Sequence, residues 1–600
     1  MEIDSAIPAA WGIAPGYHDI TGRWVEPEPD TVRLVLDAMR AEGWAPPPSP
    51  VRIVEQGTPL DLGEAHELTT EDGAALPEVH VLPPDLPPGY HRLRRLEDGH
   101  GRRLIVSPRT CHLPEELRAW GWAVQLYAVR SRASWGFGDL ADLRELARWS
   151  SGLGAGVVLL NPLHAALPTP PQQPSPYYPS SRRFRNPLYI RVEEVPGADR
   201  LGERLPALAE AGRDLDASRL IDRDRVLELK MAALEEIFAG FGTSEGFERY
   251  LLEQGPDLLD YATFCAISET LRDPWQVWPE ELRHPARPGV ARFREAHSRR
   301  VRLHEWLQWI LDEQLRRAAA PIGLIHDLAV GVRPDGADAW LWQDQFAQRV
   351  TVGAPPDPFN AAGQDWGVPP FDPWRLRSAG YQPFIDTIRA AFRHGVGLRV
   401  DHVMGLFRLF WIPAGSGPSR GLYVEYPFAD LLDILALESW RARAFVVGED
   451  LGTVEDRVRE QMAARRILAY HLLWFEDRPP AEYRLEAMAA LTTHDLPTLR
   501  GVWEGSDSDP AVRDRLYRFG GAWDGATDEQ VAEAAHRALA AAPSRLVTAT
   551  LEDALGVAER PNRPGTTTEW PNWSLALPLP LEELERDPRP ARLAETLRRL

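Results

Sequence analysis

From Ala123 onward the chain returns eight times to a short apolar run: Ala123–Val129, Gly156–Leu160, Ile322–Ile325, Val396–Val400, Phe445–Val447, Leu468–Phe475, Met488–Leu491 and Leu546–Thr550. Short runs with little polar alternation belong to strands buried on both faces, as in a parallel sheet. Several are separated by segments with helical apolar spacing, such as Asp139–Trp149 and Pro383–Phe392. Strand and helix in alternation predict an α/β fold, and eight repeats predict a (β/α)8 TIM barrel.

The rest of the chain is placed around that rhythm. Between the second and third runs lie a Pro-rich loop, Pro168–Pro179, and a stretch rich in Leu, Ala, Glu and Arg that predicts a largely helical insertion at about 195–320. Residues 1–115 read differently. Ile7–Trp11 and Thr31–Trp44 have helical spacing, and β-like runs follow at Val51–Val54, Val79–Leu82 and Arg103–Val106. The expected organisation is an N-terminal accessory region over 1–115, helical and then β-rich, and a barrel over 116–600.

Charge narrows the partners. The balance is 67 − 88 = −21, which argues against nucleic acid, whose phosphates are met by basic surface. An uncharged substrate is compatible with it. Cys111 and Cys265 make neither a disulfide framework nor a metal-ligand spacing. His402 and His494 lack the His-x-x-x-His or Cys company of a zinc site, so no metal or cofactor is expected. The start, Met-Glu-Ile-Asp-Ser, lacks the layout of a signal peptide, and no apolar run approaches the ~18 residues of a membrane span. A cytoplasmic protein that enters no membrane is expected.

In a barrel the chemistry comes from strand C-terminal ends. Asp401 follows Gly-Leu-Arg-Val, Glu449 follows Phe-Val-Val-Gly, and Asp495 follows Leu-Thr-Thr-His. A lone Asp at a strand end is usually a turn or cap residue. Three carboxylates, with Arg399 and two histidines beside them, are better explained as the equipment of glycosidic-bond chemistry. Arg399 and Asp401 share a strand face, so the guanidinium favours an ionised Asp401. Glu449 follows Val446 and Val447 with no cation close in sequence, which favours a protonated general acid.

The segments around these residues resemble the amylomaltases, the 4-α-glucanotransferases of glycoside hydrolase family 77. The matching stretches are Ser134-Trp-Gly-Phe-Gly-Asp139, Leu160-Asn-Pro-Leu-His164, Ser175-Pro-Tyr-Tyr-Pro-Ser-Ser-Arg-Arg-Phe184 and Asn186-Pro-Leu-Tyr189. They continue with Asp327-Leu-Ala-Val-Gly-Val332, Gly353-Ala-Pro-Pro-Asp-Pro-Phe-Asn360, Gly363-Gln-Asp-Trp-Gly367 and Arg399-Val-Asp-His-Val-Met-Gly405. The last are Gly448-Glu-Asp-Leu-Gly452, Thr493-His-Asp-Leu-Pro-Thr498, Asn562-Arg-Pro-Gly-Thr566 and Glu569-Trp-Pro-Asn-Trp573. Arg-x-Asp-His alone is shared by many amylase-like barrels, whereas the Gly353–Gly367 segment is specific.

The resemblance implies that Asp401 is a nucleophile, Glu449 an acid/base and Asp495 a residue that grips sugar hydroxyls at the scission subsite, with Arg399, His402 and His494 as supports. It implies that Asp327, Asp357 and Tyr177 hold a donor glucan, and that Gln364 and Trp366 sit on a loop over the cleft. The substrates implied are α-1,4-glucans and maltooligosaccharides. Two other readings of the same residues stay open: an α-glucan hydrolase of the amylase type, and a catalytically idle glycan-binding protein.

Overall fold

The computed structural model describes residues 6–19, 21–356, 362–452, 454–507 and 509–598. Eight strands form one sheet: β1 Ala119–Val124, β2 Val157–Leu160, β3 Gly323–Leu328, β4 Gly397–Val400, β5 Phe445–Gly448, β6 Ala469–Leu472, β7 Ala487–Ala490 and β8 Leu546–Thr550. Their order is β5-β4-β3-β2-β1-β8-β7-β6. Neighbours are consecutive in the chain except where the first strand meets the last. There β1 and β8 run parallel, with Leu546 opposite Ala119 and Thr550 opposite Ala123. This cyclic order is that of a (β/α)8 barrel.

One of the eight expected runs is displaced. The strand expected at Ala123–Val129 lies instead at Ala119–Val124, and Leu126–Ala128 forms a 3-10 turn. The Asn161 side chain accepts the Leu126 amide at 2.7 Å, which holds the turn. The true strand carries Trp120 and Trp122 around Gly121, and that glycine is required. A Cβ there would meet the Val157 carbonyl oxygen at 2.0 Å.

The chain divides into two compact units, one of residues 1–114, 342–393 and 400–467, the other of 115–341, 394–399 and 468–600. In the first unit, residues 1–114 supply the helices Ala6–Ala10 and Pro29–Ala38 and a five-stranded sheet, ordered Val51–Glu55, Gly101–Ser107, Gly89–Arg95, Asp61–Thr69, Ala75–Val81. Leu68, Leu82, Leu93, Leu104 and Val106 form its core. It is fastened to the helix Phe428–Ala442: Tyr90 Oη donates to Glu438 at 2.7 Å, and Ser107 Oγ donates to the Asp433 carbonyl at 3.1 Å. The same unit holds a four-stranded antiparallel sheet, ordered Gln364–Val368, Val350–Ala354, Arg408–Pro413, Leu422–Glu425. The sequence pattern did not show it.

In the second unit the stretch read as helical contains Arg204–Arg213, Arg223–Ala239, Glu245–Gln254, Pro256–Leu271, Pro288–Ala296 and Ser298–Ala318. The last is amphipathic: Leu303, Leu307, Ile310 and Leu315 lie on the face that joins the same core as Val158 and Leu324.

That unit also explains the Ser134–Asp139 motif in structural terms. Asp139 caps the helix Leu140–Gly152 in a capping box with Asp142. Arg191 donates to Asp139 and to Asp142, each at 2.6 Å, and Ser134 Oγ donates to Asp142 at 2.7 Å. Lys230, the chain's single lysine, is buried; its Nζ donates to the carbonyls of Leu188 and Ile190 at 2.6 and 2.8 Å and lies 3.7 Å from Asp139. Burial opposes ionisation of Asp139, but Arg191 and Lys230 outweigh it and hold its carboxyl below the usual range. Removing one member of a buried charged network leaves the others unmatched, at about 3–5 kcal/mol. Lys230→Met is therefore expected to destabilise the fold by ~3 kcal/mol, seen as a lower thermal midpoint, whereas an exposed Arg→Met change leaves it nearly unmoved.

Candidate active site

Asp327 lies on β3 and Arg399 on β4, both buried. Arg399 NH1 donates to Asp327 Oδ1 and Oδ2 at 2.7 and 2.8 Å. Tyr177, from the segment after β2, donates its hydroxyl to Asp327 Oδ2 at 2.6 Å. The same ring stacks on His494, with centroids 4.9 Å apart. His494 Nε2 lies 3.3 Å from Asp495 Oδ2, and Asn562 Nδ2 donates to Asp495 Oδ1 at 2.7 Å. Burial alone lowers a histidine's pKa, yet the Asp495 carboxylate and its hydrogen bond raise that of His494 above the ordinary value. Burial works against the Asp495 charge too, and the His494 contact with the Asn562 donor overcomes it, so this carboxyl sits below its usual range. Five of the expected residues, Tyr177, Asp327, Arg399, His494 and Asp495, are thus brought together.

Asp401 and His402 directly follow β4, and Glu449 directly follows β5. His402 adopts a left-handed conformation, φ 46°, which a residue with a Cβ takes up only when its surroundings impose it. The turn aims the His402 amide at Glu449 Oε2, 2.8 Å away; the Leu451 amide reaches Oε1, also at 2.8 Å. The main chains interlock as well, Glu449 N donating to Val400 O and Val403 N to Glu449 O, both at 3.0 Å. The Glu449 carboxyl thus takes two backbone donors, which fix its position. Burial, with Arg408 adding to it, pushes the His402 imidazole down to about 4, so the ring is neutral.

Gln364 and Trp366 were expected on a loop and lie on the strand Gln364–Val368. Pairing with Val350–Ala354 gives this segment the ladder that its polar composition does not advertise. Trp366 donates to Gln364 Oε1 at 3.1 Å and meets the His402 ring edge-on at 5.1 Å. Asp357 lies outside the described residues. Among the described residues no cluster of three or more His, Cys, Asp or Glu is built to hold a metal, and no helix is long and apolar enough to cross a membrane.

Sequence reasoning missed two residues. Asn562 belongs to the Asn562–Thr566 motif, and nothing in its spacing marks it as a donor to Asp495. Glu552, just past β8, lines a cavity of about 30 Å³ with Tyr177, Asp327, Arg399 and His494. Burial, reinforced by Asp553, pushes Glu552 up to about 7. A carboxyl whose pKa is raised in the fold adds stability below its unfolded value and loses it as pH rises through the folded value. Glu552→Gln is therefore expected to keep most activity and, above pH ~7, to unfold at higher temperature than the parent, by up to ~3 kcal/mol. Melting both proteins between pH 4.5 and 8 checks this; parallel curves would refute it.

A (β/α)8 barrel with acidic, arginine and aromatic side chains gathered at strand C-terminal ends defines a class, the barrel enzymes that work on glycosidic bonds. Within it, residues 124–580 match the family described as 4-alpha-glucanotransferase, and the chain belongs to that family. A 4-alpha-glucanotransferase of Mycobacterium tuberculosis is 42% identical over 96% of this chain and 90% of its own length. One from Haemophilus influenzae is 33% identical over 95% and 94%. The crystal structure of an amylomaltase from Corynebacterium glutamicum superposes with a TM-score of 0.88 at 31% identity, covering 99% of each chain. The protein is an enzyme, a transferase acting on α-1,4-glucans.

Proposed function

We propose that the enzyme moves a segment of an α-1,4-glucan to the 4-hydroxyl of glucose or a maltooligosaccharide by retaining double displacement. Asp401 attacks the anomeric carbon while Glu449 protonates the leaving glycosidic oxygen, giving a covalent glucanyl ester. The acceptor hydroxyl then loses its proton to Glu449 and displaces Asp401. Asp495 binds sugar hydroxyls at the scission subsite, supported by Arg399, His402 and His494. Asp327, Tyr177 and Asp357 hold the donor, and the reaction takes place in the cytoplasm.

The observation that carries this reading is the end of β5. Glu449 has both carboxyl oxygens held by backbone amides, one of them from the residue after Asp401. An acid/base must act at one fixed point in both half-reactions, and main-chain donors fix it better than a mobile side chain would. Gln364 and Trp366 are proposed to screen the intermediate, Trp366 by its contact with His402. A bound acceptor reacts with the advantage of orientation, while screened water does not.

The test is product distribution. Maltotriose incubated with the enzyme is expected to give longer and shorter glucans with nearly constant reducing ends. A steady rise in reducing ends, with nothing longer than the substrate, would instead establish the hydrolase. Unchanged maltotriose would leave the idle glycan-binding protein.

A further inference from the structure

Behind the wall that carries Glu552, a cavity of about 470 Å³ lies among the helices Leu499–Glu504, Asp528–Ala540, Leu551–Leu555 and Pro588–Leu597. Its size falls in the range of small-molecule sites, about 300–1,000 Å³. It shares a wall with the small cavity beside His494. Thr498 and Glu552 line the small one, and the very next residues, Leu499 and Asp553, line the larger. The Leu499 amide donates to Asp553 Oδ1 at 2.8 Å, which ties the wall together. Asp553 itself is buried, 4% exposed, and bonds within the wall.

The charge pattern selects the ligand. Three guanidinium groups reach the cavity, and each already has a carboxylate: Arg500 with Glu504 at 2.5 Å, Arg589 with Asp587 at 2.7 Å and Arg592 with Glu529 at 3.0 Å. The N-terminus of Asp528–Ala540 is closed by its own capping box of Thr527 and Gln530. An anion therefore finds no uncompensated positive charge. A neutral polyol does find partners: paired guanidinium and carboxylate groups still offer donors and acceptors to hydroxyls, and Trp503 offers a surface for the C–H face of a sugar.

We infer that this cavity is a second α-glucan-binding site, outside the one where bonds are cut. It holds an end or turn of a long glucan and so keeps the polymer within reach of the barrel mouth, raising the local substrate concentration. The inference rests on the enzyme's action on α-glucans but not on the roles proposed for Asp401 or Glu449, and its binding readout needs no turnover.

Native gels containing glycogen test it, with two variants of the full chain. Trp503→Ala removes the ring, and Ala532→Trp fills the cavity from its lining. Each is expected to weaken retardation by glycogen about tenfold and to raise KM for long amylose to match, while maltotriose turnover stays within about twofold. Retardation equal to the parent's in Ala532→Trp overturns the proposal, and this variant decides the matter if Trp503→Ala fails to fold. Competition of glycogen binding by inorganic phosphate but not by maltotetraose also overturns it, in favour of an anion site.

Discussion

Asp401→Asn is expected to lower transfer from maltotriose by ~10⁴-fold or more, since a neutral amide forms no glycosyl ester. The substitution is isosteric at a half-buried position just past β4, so the thermal midpoint is expected to stay close to the parent's. Loss of activity without loss of fold separates a chemical role from a structural one. Trapping makes the assignment sharper. Parent enzyme quenched in acid during turnover of maltotriosyl fluoride is expected to carry the glucanyl mass on the peptide containing Asp401. The same mass on another carboxylate, or near-normal turnover by the variant, would remove Asp401 from the role.

The barrel was legible because parallel strands buried on both faces must be continuous apolar runs. Phe445–Gly448 and Leu546–Thr550 leave little else to choose. The first strand was displaced because its apolar pattern continues past Val124 into Leu126–Ala128, where the Asn161 hydrogen bond, absent from any local pattern, ends the extended chain. The four-stranded antiparallel sheet was invisible for a different reason. Its strand Arg408–Pro413 pairs with Val350–Ala354 far back in the chain, and Gln364–Val368 is polar with a glycine. Neither alternation nor a short turn announces such a pairing.

The same division applies to the site. Asp401 and Glu449 stand at strand ends, where barrel geometry directs attention, and the histidines and Arg399 come with them in the motifs. Glu552 was not legible. In Leu551-Glu552-Asp553-Ala-Leu555 a carboxylate pair opening a helix reads as a helix terminus favouring negative charge. In the structure both are buried, at 6% and 4% exposure, and only packing against distant strands reveals it. The two amides on Glu449 were equally hidden, because they depend on the left-handed turn at His402.

That arrangement at Glu449 supports the second large effect. Glu449→Gln keeps an acceptor for the His402 or Leu451 amide but has no proton to give, so transfer from maltotriose is expected to fall about 10²–10⁴-fold. The loss is expected to depend on the leaving group. Maltotriosyl fluoride releases fluoride without protonation, so the first displacement by Asp401 proceeds nearly as in the parent and the ester accumulates. Azide then needs no general base: its nitrogen attacks the anomeric carbon, the bond to Asp401 breaks, and the carboxylate is regenerated. Two displacements at one carbon preserve configuration, so the product is the α-glucanyl azide, identified by its anomeric proton coupling. The alkaline limb of the pH–rate profile, which reports the acid in the parent, is expected to vanish with the fluoride donor. A β-azide would mean a single displacement with no ester on Asp401, and failure of azide to restore turnover would mean that Glu449 is not the missing base. Either result reverses the assignment of roles, because only a residue that handles protons can be bypassed by a donor and an acceptor that need none.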